Sequence, residues 1–136
     1  MGYKEDALSF LGITKWHEAG YTGKDIKILS DEKVCQKYNP NVISPKGFKS
    51  KRSHGDDVMV HIKLVLPDAA FIAYPFTGVF GNNYKCDCAE YIKENKIHVF
   101  TTSCIGSYPS KGKQQAIQDC IVAGCIIFAS AGNDND

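Results

Sequence analysis

Ile97-His98-Val99-Phe100-Thr101-Thr102, then Lys111 to Ala123, then Cys125-Ile126-Ile127-Phe128-Ala129: these three stretches decide the fold. The outer two are short, nearly continuous apolar runs, the pattern of strands buried on both faces. Between them Ala116, Ile117, Cys120 and Ile121 recur on one side of a helix that Gly124 ends. Strand, helix and strand in this order predict parallel neighbours joined by a crossover.

The same alternation extends upstream. Asp87 to Lys96 reads as a helix, and Ala69-Ala70-Phe71-Ile72-Ala73-Tyr74 as a strand, joined by a Gly-rich connection over Pro75 to Tyr84. Ser53 is a plausible N-cap, with Asp56 and Asp57 in the first turn where carboxylates complement the helix dipole. Val58, Met59, His61, Ile62 and Val65 then form a helical apolar face up to Pro67. Residues 32–52 hold Pro40, Pro45, Gly47 and six Lys or Arg with little period, a solvated loop region in which a hairpin would fit. Asp25 to Leu29 is a short strand, and Leu8 to Ala19 an early helix or helix pair closing on Gly20. The expected architecture is α/β: a mostly parallel sheet in a three-layer α/β/α arrangement, covered on both faces, in a single domain over residues 1–136.

Composition excludes several classes of function. The chain has 136 residues, 43% hydrophobic and 23% charged, enough to bury a core and too apolar for disorder. A net charge of +1 gives no overall attraction to nucleic acid or an anionic membrane, so neither is expected as a partner. No run reaches a membrane span, and Met1-Gly2-Tyr3-Lys4-Glu5-Asp6 lacks an apolar signal core, so a cytoplasmic location is expected. Of the six cysteines, Cys104, Cys120 and Cys125 sit in apolar segments as reduced thiols do. Cys86-Asp87-Cys88 is a poor zinc signature without a second pair.

In open parallel sheets, ligands collect at the carboxyl ends of the strands. The residues there are Ser30-Asp31-Glu32, Pro75-Phe76-Thr77, Ser103-Cys104-Ile105-Gly106 and Ser130-Ala131-Gly132-Asn133. His54 joins them if its helix starts at the same end. No Gly-x-Gly-x-x-Gly or Walker-type pattern follows any strand, which removes the best signal for a bound nucleotide.

Four motifs, in order, resemble the subtilisin-like serine peptidases. Gly20-Tyr21-Thr22-Gly23-Lys24 leads into a strand that ends on an acid. Ser53-His54-Gly55-Asp56-Asp57-Val58 is followed by Leu66-Pro67-Asp68-Ala69 and a strand. Thr102-Ser103-Cys104-Ile105-Gly106 is similar to the family's Met-Ser-Leu-Gly strand edge, and Ala129-Ser130-Ala131-Gly132-Asn133-Asp134 to its Ala-Ala-Gly-Asn turn. The resemblance implies a truncated subtilisin-like sheet. His54 would be the general base and a carboxylate after the first strand its orienting acid. Asn133 would donate to the oxyanion, a contribution of about 3–4 kcal/mol. Ser103, Cys104, Ile105 and Gly106 would pair with an extended substrate peptide as an added strand.

The departures from the family are specific. Its Asp-Thr-Gly or Asp-Ser-Gly is replaced by Asp31-Glu32-Lys33. An ungapped match from Gly20 puts Glu32 on the acid's position, and a one-residue gap puts Asp31 there. Because strand side chains alternate, only one of them can face His54, and the shorter Asp31 is slightly favoured on chemistry. Asp56 replaces the family's Thr, and with Asp57 adds two carboxylates that would favour a protonated base. The family's nucleophile, in a Gly-Thr-Ser segment well beyond the Ala-Gly-Asn turn, has no counterpart before Asp136. Base, acid and oxyanion donor without a nucleophile cannot carry out acyl transfer, so the chain alone is expected to be inactive.

Three readings follow. The chain is the N-terminal part of a serine endopeptidase acting on peptide or protein substrates, completed by a C-terminal half or a partner chain. Or it is a degenerate relative that holds an extended peptide as a binding or regulatory module. Or it is a flavodoxin-like small-ligand domain. No cofactor is expected; the calcium that many family members bind is left open, since no clear ligand set stands in the sequence. His17, His61 and His98 read as structural, Trp16 and Tyr21 as packing on the sheet, and the lysines of 46–52 as a solvated loop.

Overall fold

A computed structural model describes residues 3–75, 87–103 and 111–131. In chain order the elements are helix α1 (Tyr3–Phe10), helix α2 (Ile13–Glu18), strand β1 (Lys27–Ser30), helix α3 (His54–Val65), strand β2 (Ala70–Ala73), helix α4 (Asp87–Asn95), strand β3 (Val99–Thr102), helix α5 (Lys111–Val122) and strand β4 (Ile126–Ala129). The four strands form one sheet in the order β2-β1-β3-β4, and every pairing is parallel. The α/β reading and the parallel sheet are therefore observed. The chain winds outward from β1 in both directions, so the strand order reverses between β1 and β3. In an open parallel sheet that is where a crevice forms at the carboxyl ends.

Side-chain alternation along the strands divides the core in two. Ile28, Phe71 and Ala73 pack with Met59 of α3 and with Val34 and Val42. Leu29, Ile72 and Phe100 face the other way, onto Ile92 of α4 and Cys120 of α5. Helices thus cover both faces, but not to the same extent. Ile126 and Phe128 lie on the α3 side opposite Val99 and Thr101 and are 61% and 59% exposed. Full coverage of both faces, expected from the apolar run 125–129, does not hold at β4 among the described residues. α3 spans β1 and β2 and stops short of the far edge.

Several boundaries differ from those expected, each for a local reason. Asp25 has φ 67°, a left-handed backbone that cannot be the first residue of a strand, and β1 begins two residues later. Ile97 donates its N–H to Ile92 O at 3.0 Å and Lys96 has φ 52°, so Ile97 closes α4 before β3 begins at Val99. The same closure ends α5, where Gly124 (φ 87°) supplies the left-handed residue and Cys125 N–H bonds Cys120 O at 3.1 Å. The early helical region is a pair, as one reading allowed, although its first helix starts at Tyr3 rather than Leu8.

The largest difference is the segment between β1 and α3. It is packed, not merely solvated: Val34, Cys35 and Val42 are buried, and Phe48 lies against the α3-side core. Its bridges are parallel, Cys35 to Lys49 and Ile43 to Ile72, so no hairpin forms among them. Ile43 N–H bonds Phe71 O and its carbonyl accepts from Ala73 N–H, which covers the outer edge of β2. Trp16 and Tyr21 do not pack on the sheet. They meet each other edge to face, ring centres 5.3 Å apart, and both stay largely exposed.

Candidate functional site

His54 is the first residue of α3 and Glu32 lies two residues beyond β1, both at the carboxyl end of the sheet. Their side chains meet: His54 Nδ1 lies 2.8 Å from Glu32 Oε1. With an ionised carboxylate as the acceptor, Nδ1 carries the proton and Nε2 keeps its lone pair. The imidazole is 68% exposed and the carboxylate 14%, so Glu32 is set in the protein and His54 projects toward solvent.

The carboxylate that contacts His54 is Glu32, not the slightly preferred Asp31, and strand alternation gives the reason. Ile28 faces α3 and Leu29 faces α4 and α5. Continuing that parity, residue 32 falls on the α3 side with His54, and residue 31 falls on the opposite side. Asp31 is buried and accepts a hydrogen bond from the Thr102 hydroxyl at 2.6 Å. Since Ser30 is paired with Thr101, this bond extends the register of β1 and β3 by one residue. Asp31 thus ties the two strands together at the point where the strand order reverses. Ser30 is also buried there, and its hydroxyl has no hydrogen-bond partner among the described residues.

Close packing of the helix start against the loop after β1 brings Glu32 and His54 together. A Cβ on Gly55 would lie 2.8 Å from Glu32 Cβ and 2.8 Å from Lys33 O, so the His-Gly pair needs glycine there for close approach. Ser53 fixes the same junction by donating its hydroxyl to Lys33 O at 2.7 Å. Asp56 returns a capping interaction, accepting the Ser53 N–H at 2.7 Å.

Asp56 bonds elsewhere than to the imidazole. Its carboxylate turns away from the imidazole into the buried loop, where it accepts from Cys35 N–H at 2.8 Å and Asn39 Nδ2 at 2.7 Å. Burial alone would push this carboxyl up, but the hydrogen bonds from Cys35, Ser53 and Asn39 outweigh it and hold it below the usual carboxylate range. Asn39 passes the contact on, accepting from Lys63 Nζ at 2.8 Å. Asp57 pairs with Arg52. Among the described residues neither carboxylate hydrogen-bonds to His54.

The remaining histidines have structural partners. His17 Nε2 lies 2.8 Å from Val65 O at the end of α3, and His61 Nδ1 lies 2.7 Å from the Asp57 carbonyl one turn earlier. His98 Nδ1 accepts the Lys27 N–H at 3.0 Å between β1 and β3. Cys35 and Cys125 are buried free thiols and Cys120 is buried in the core, and burial pushes the Cys125 thiol up to about 11, which leaves it protonated. Ser103 stands half-buried just past β3. Cys104, Ile105, Gly106 and Asn133 lie outside the described residues. Among the described residues no group of three or more His, Cys, Asp or Glu is arranged to hold a metal ion, and no helix is long and apolar enough to cross a membrane.

No protein-family model matches the chain, and no sequence match to it is found among curated proteins.

Proposed function

We propose that the chain carries the base-and-acid part of a subtilisin-like serine endopeptidase site, with His54 as general base and Glu32 as its orienting acid. The observation that carries this reading is the 2.8 Å contact between His54 Nδ1 and Glu32 at the carboxyl end of a parallel sheet. It fixes the tautomer that exposes Nε2, the atom that takes a proton from a serine hydroxyl and returns it to the leaving amine. The carboxylate offsets the positive charge the imidazole gains in that step. Asn133 is assigned to the oxyanion and the edge from Ser103 through Cys104, Ile105 and Gly106 to the substrate backbone, both on the strength of the family motifs.

No serine hydroxyl among the described residues hydrogen-bonds His54; on the strength of the family motifs, the nucleophile is assigned to a Gly-Thr-Ser segment of the kind the family carries beyond its Ala-Gly-Asn turn. In this reading the substrate is a peptide or protein, the residues of this sequence supply base and acid, and hydrolysis needs the nucleophile as well.

The sheet order is shared with flavodoxin-like ligand-binding domains, so the site carries the argument and the sheet does not. A phosphate-binding loop after β1 would present backbone N–H groups to an anion, whereas this chain presents Asp31 and Glu32. That disfavours the flavodoxin-like reading. The binding-module reading is favoured by one feature, the replacement of the family's acid motif by Asp31-Glu32-Lys33.

Labelling with a serine-directed fluorophosphonate tests the peptidase reading. The 136-residue chain should remain unlabelled. A protein that adds the sequence following it in its gene should label, and lose the label in His54→Ala. A folded extended protein that stays unlabelled would refute a peptidase function.

A further inference from the structure

We infer that the segment 33–52, between Glu32 and His54, is a docking surface for an acidic polypeptide segment. It holds six of the sixteen Lys and Arg and none of the fifteen Asp and Glu, so the rest of the chain is net acidic. The near-neutral total charge conceals this asymmetry. Soluble surfaces ordinarily intersperse the two signs, because a one-signed cluster repels itself.

The fold brings the two ends of this segment together beside the start of α3. Lys49 N–H bonds Val34 O at 2.8 Å, and Cys35 bridges to Lys49, so the two ends of the segment run side by side. Lys33 is tied to Ser53, next to His54, through the Ser53 hydroxyl. Lys37 and Arg52 each lie 5.8 Å from the centre of the Tyr38 ring, which is 49% exposed. Arg52 pairs with Asp57, whereas Lys33, Lys37, Lys49 and Lys51 are in no ion pair among the described residues. Asp56, a buried acid that contacts this segment, is committed to Cys35 N–H, Asn39 and Ser53 N–H.

The chemistry favours carboxylates of a polypeptide over a nucleic-acid backbone. The only arginine in the chain is Arg52, and its guanidinium is occupied by Asp57, so no free fork faces a phosphate. The surface also ends at the Glu32 carboxylate. A uniformly anionic strand would be repelled there, while a polypeptide can place a neutral residue at that point. The inference needs no nucleophile and does not rest on the peptidase reading.

Fluorescence anisotropy of a labelled oligoglutamate peptide, with an oligoglutamine peptide and a short oligothymidylate as comparisons, tests it on the full chain. Oligoglutamate should bind more tightly than either, and weaken at least about tenfold between about 50 and about 300 mM salt. Changing Lys37, Lys49 and Lys51 together to Glu should weaken it at least about tenfold, and together to Gln by less. Changing Lys15, Lys24 and Lys93 to Glu, away from this surface, should alter binding by no more than about twofold. Amide shifts on titration should concentrate in residues 33–54. Equal losses in the two Glu variants, shifts elsewhere, or no binding would overturn the inference. Tighter binding of oligothymidylate would also overturn it and assign the surface to nucleic acid.

Discussion

His54 and its two adjacent acid candidates show how much is decided by one residue of register. Asp31 and Glu32 are neighbours in sequence, yet one reaches the imidazole and the other ties β1 to β3 through Thr102. In Glu32→Gln the carboxylate that holds Nδ1 in its protonated form is gone. The imidazole nitrogen shifts measured by NMR should then move from the Nδ1–H tautomer toward a mixture. Asp31→Asn should leave the tautomer unchanged and lower stability by about 1–3 kcal/mol, through the Thr102 bond. The motif order pointed to His54 from the sequence, and the pair of acids narrowed its contact partner to two. Choosing between them requires knowing which face of β1 the helix covers. β1 is apolar on both faces, so Ile28 and Leu29 carry no such signal. The ungapped match from Gly20 did point to Glu32, against the preference for the shorter acid.

At the scale of elements, the start of α3 is the part on which the site depends. Gly55→Ala places a methyl 2.8 Å from Lys33 O, so the helix must move back from the loop. We expect a loss of about 1–3 kcal/mol in thermal or urea unfolding, together with loss of the Glu32–His54 contact. Asp56→Ala strips a buried acceptor from Cys35 N–H, Ser53 N–H and Asn39, and should cost about 3 kcal/mol or more near neutral pH. Because the folded-state carboxyl is held low, its contribution is complete above the ordinary Asp range and is lost as pH falls through the lowered value. Unfolding measured against pH should therefore show a constant difference between the native chain and Asp56→Ala above the ordinary Asp range, narrowing only below about pH 4. The strands and helices were legible from apolar runs and periodicity. The fold of 33–52 was not, because Val34, Val42 and Phe48 are scattered among lysines and prolines, and their burial comes from contacts with α3 and β2. Strand ends were misplaced where Asp25 and Lys96 take left-handed backbone, which neither residue type signals.

At the scale of the whole molecule, the sheet is covered unevenly. The groove lined by Ile28, Ile62, Val65, Val99 and Phe128 leaves apolar surface open on the α3 side. A hydrophobic dye such as ANS should bind there, and Ile126→Thr with Phe128→Ser should cut its fluorescence at least about twofold. The central claim is that Glu32 and His54 act as the acid and base of a serine peptidase. It is tested most directly by fluorophosphonate labelling rates of the extended protein in three variants. His54→Ala and Glu32→Gln should slow labelling by roughly 10²–10⁴-fold, while Asp31→Asn, folded, should stay within about tenfold of the unaltered protein. Labelling that survives Glu32→Gln and collapses in Asp31→Asn would contradict it.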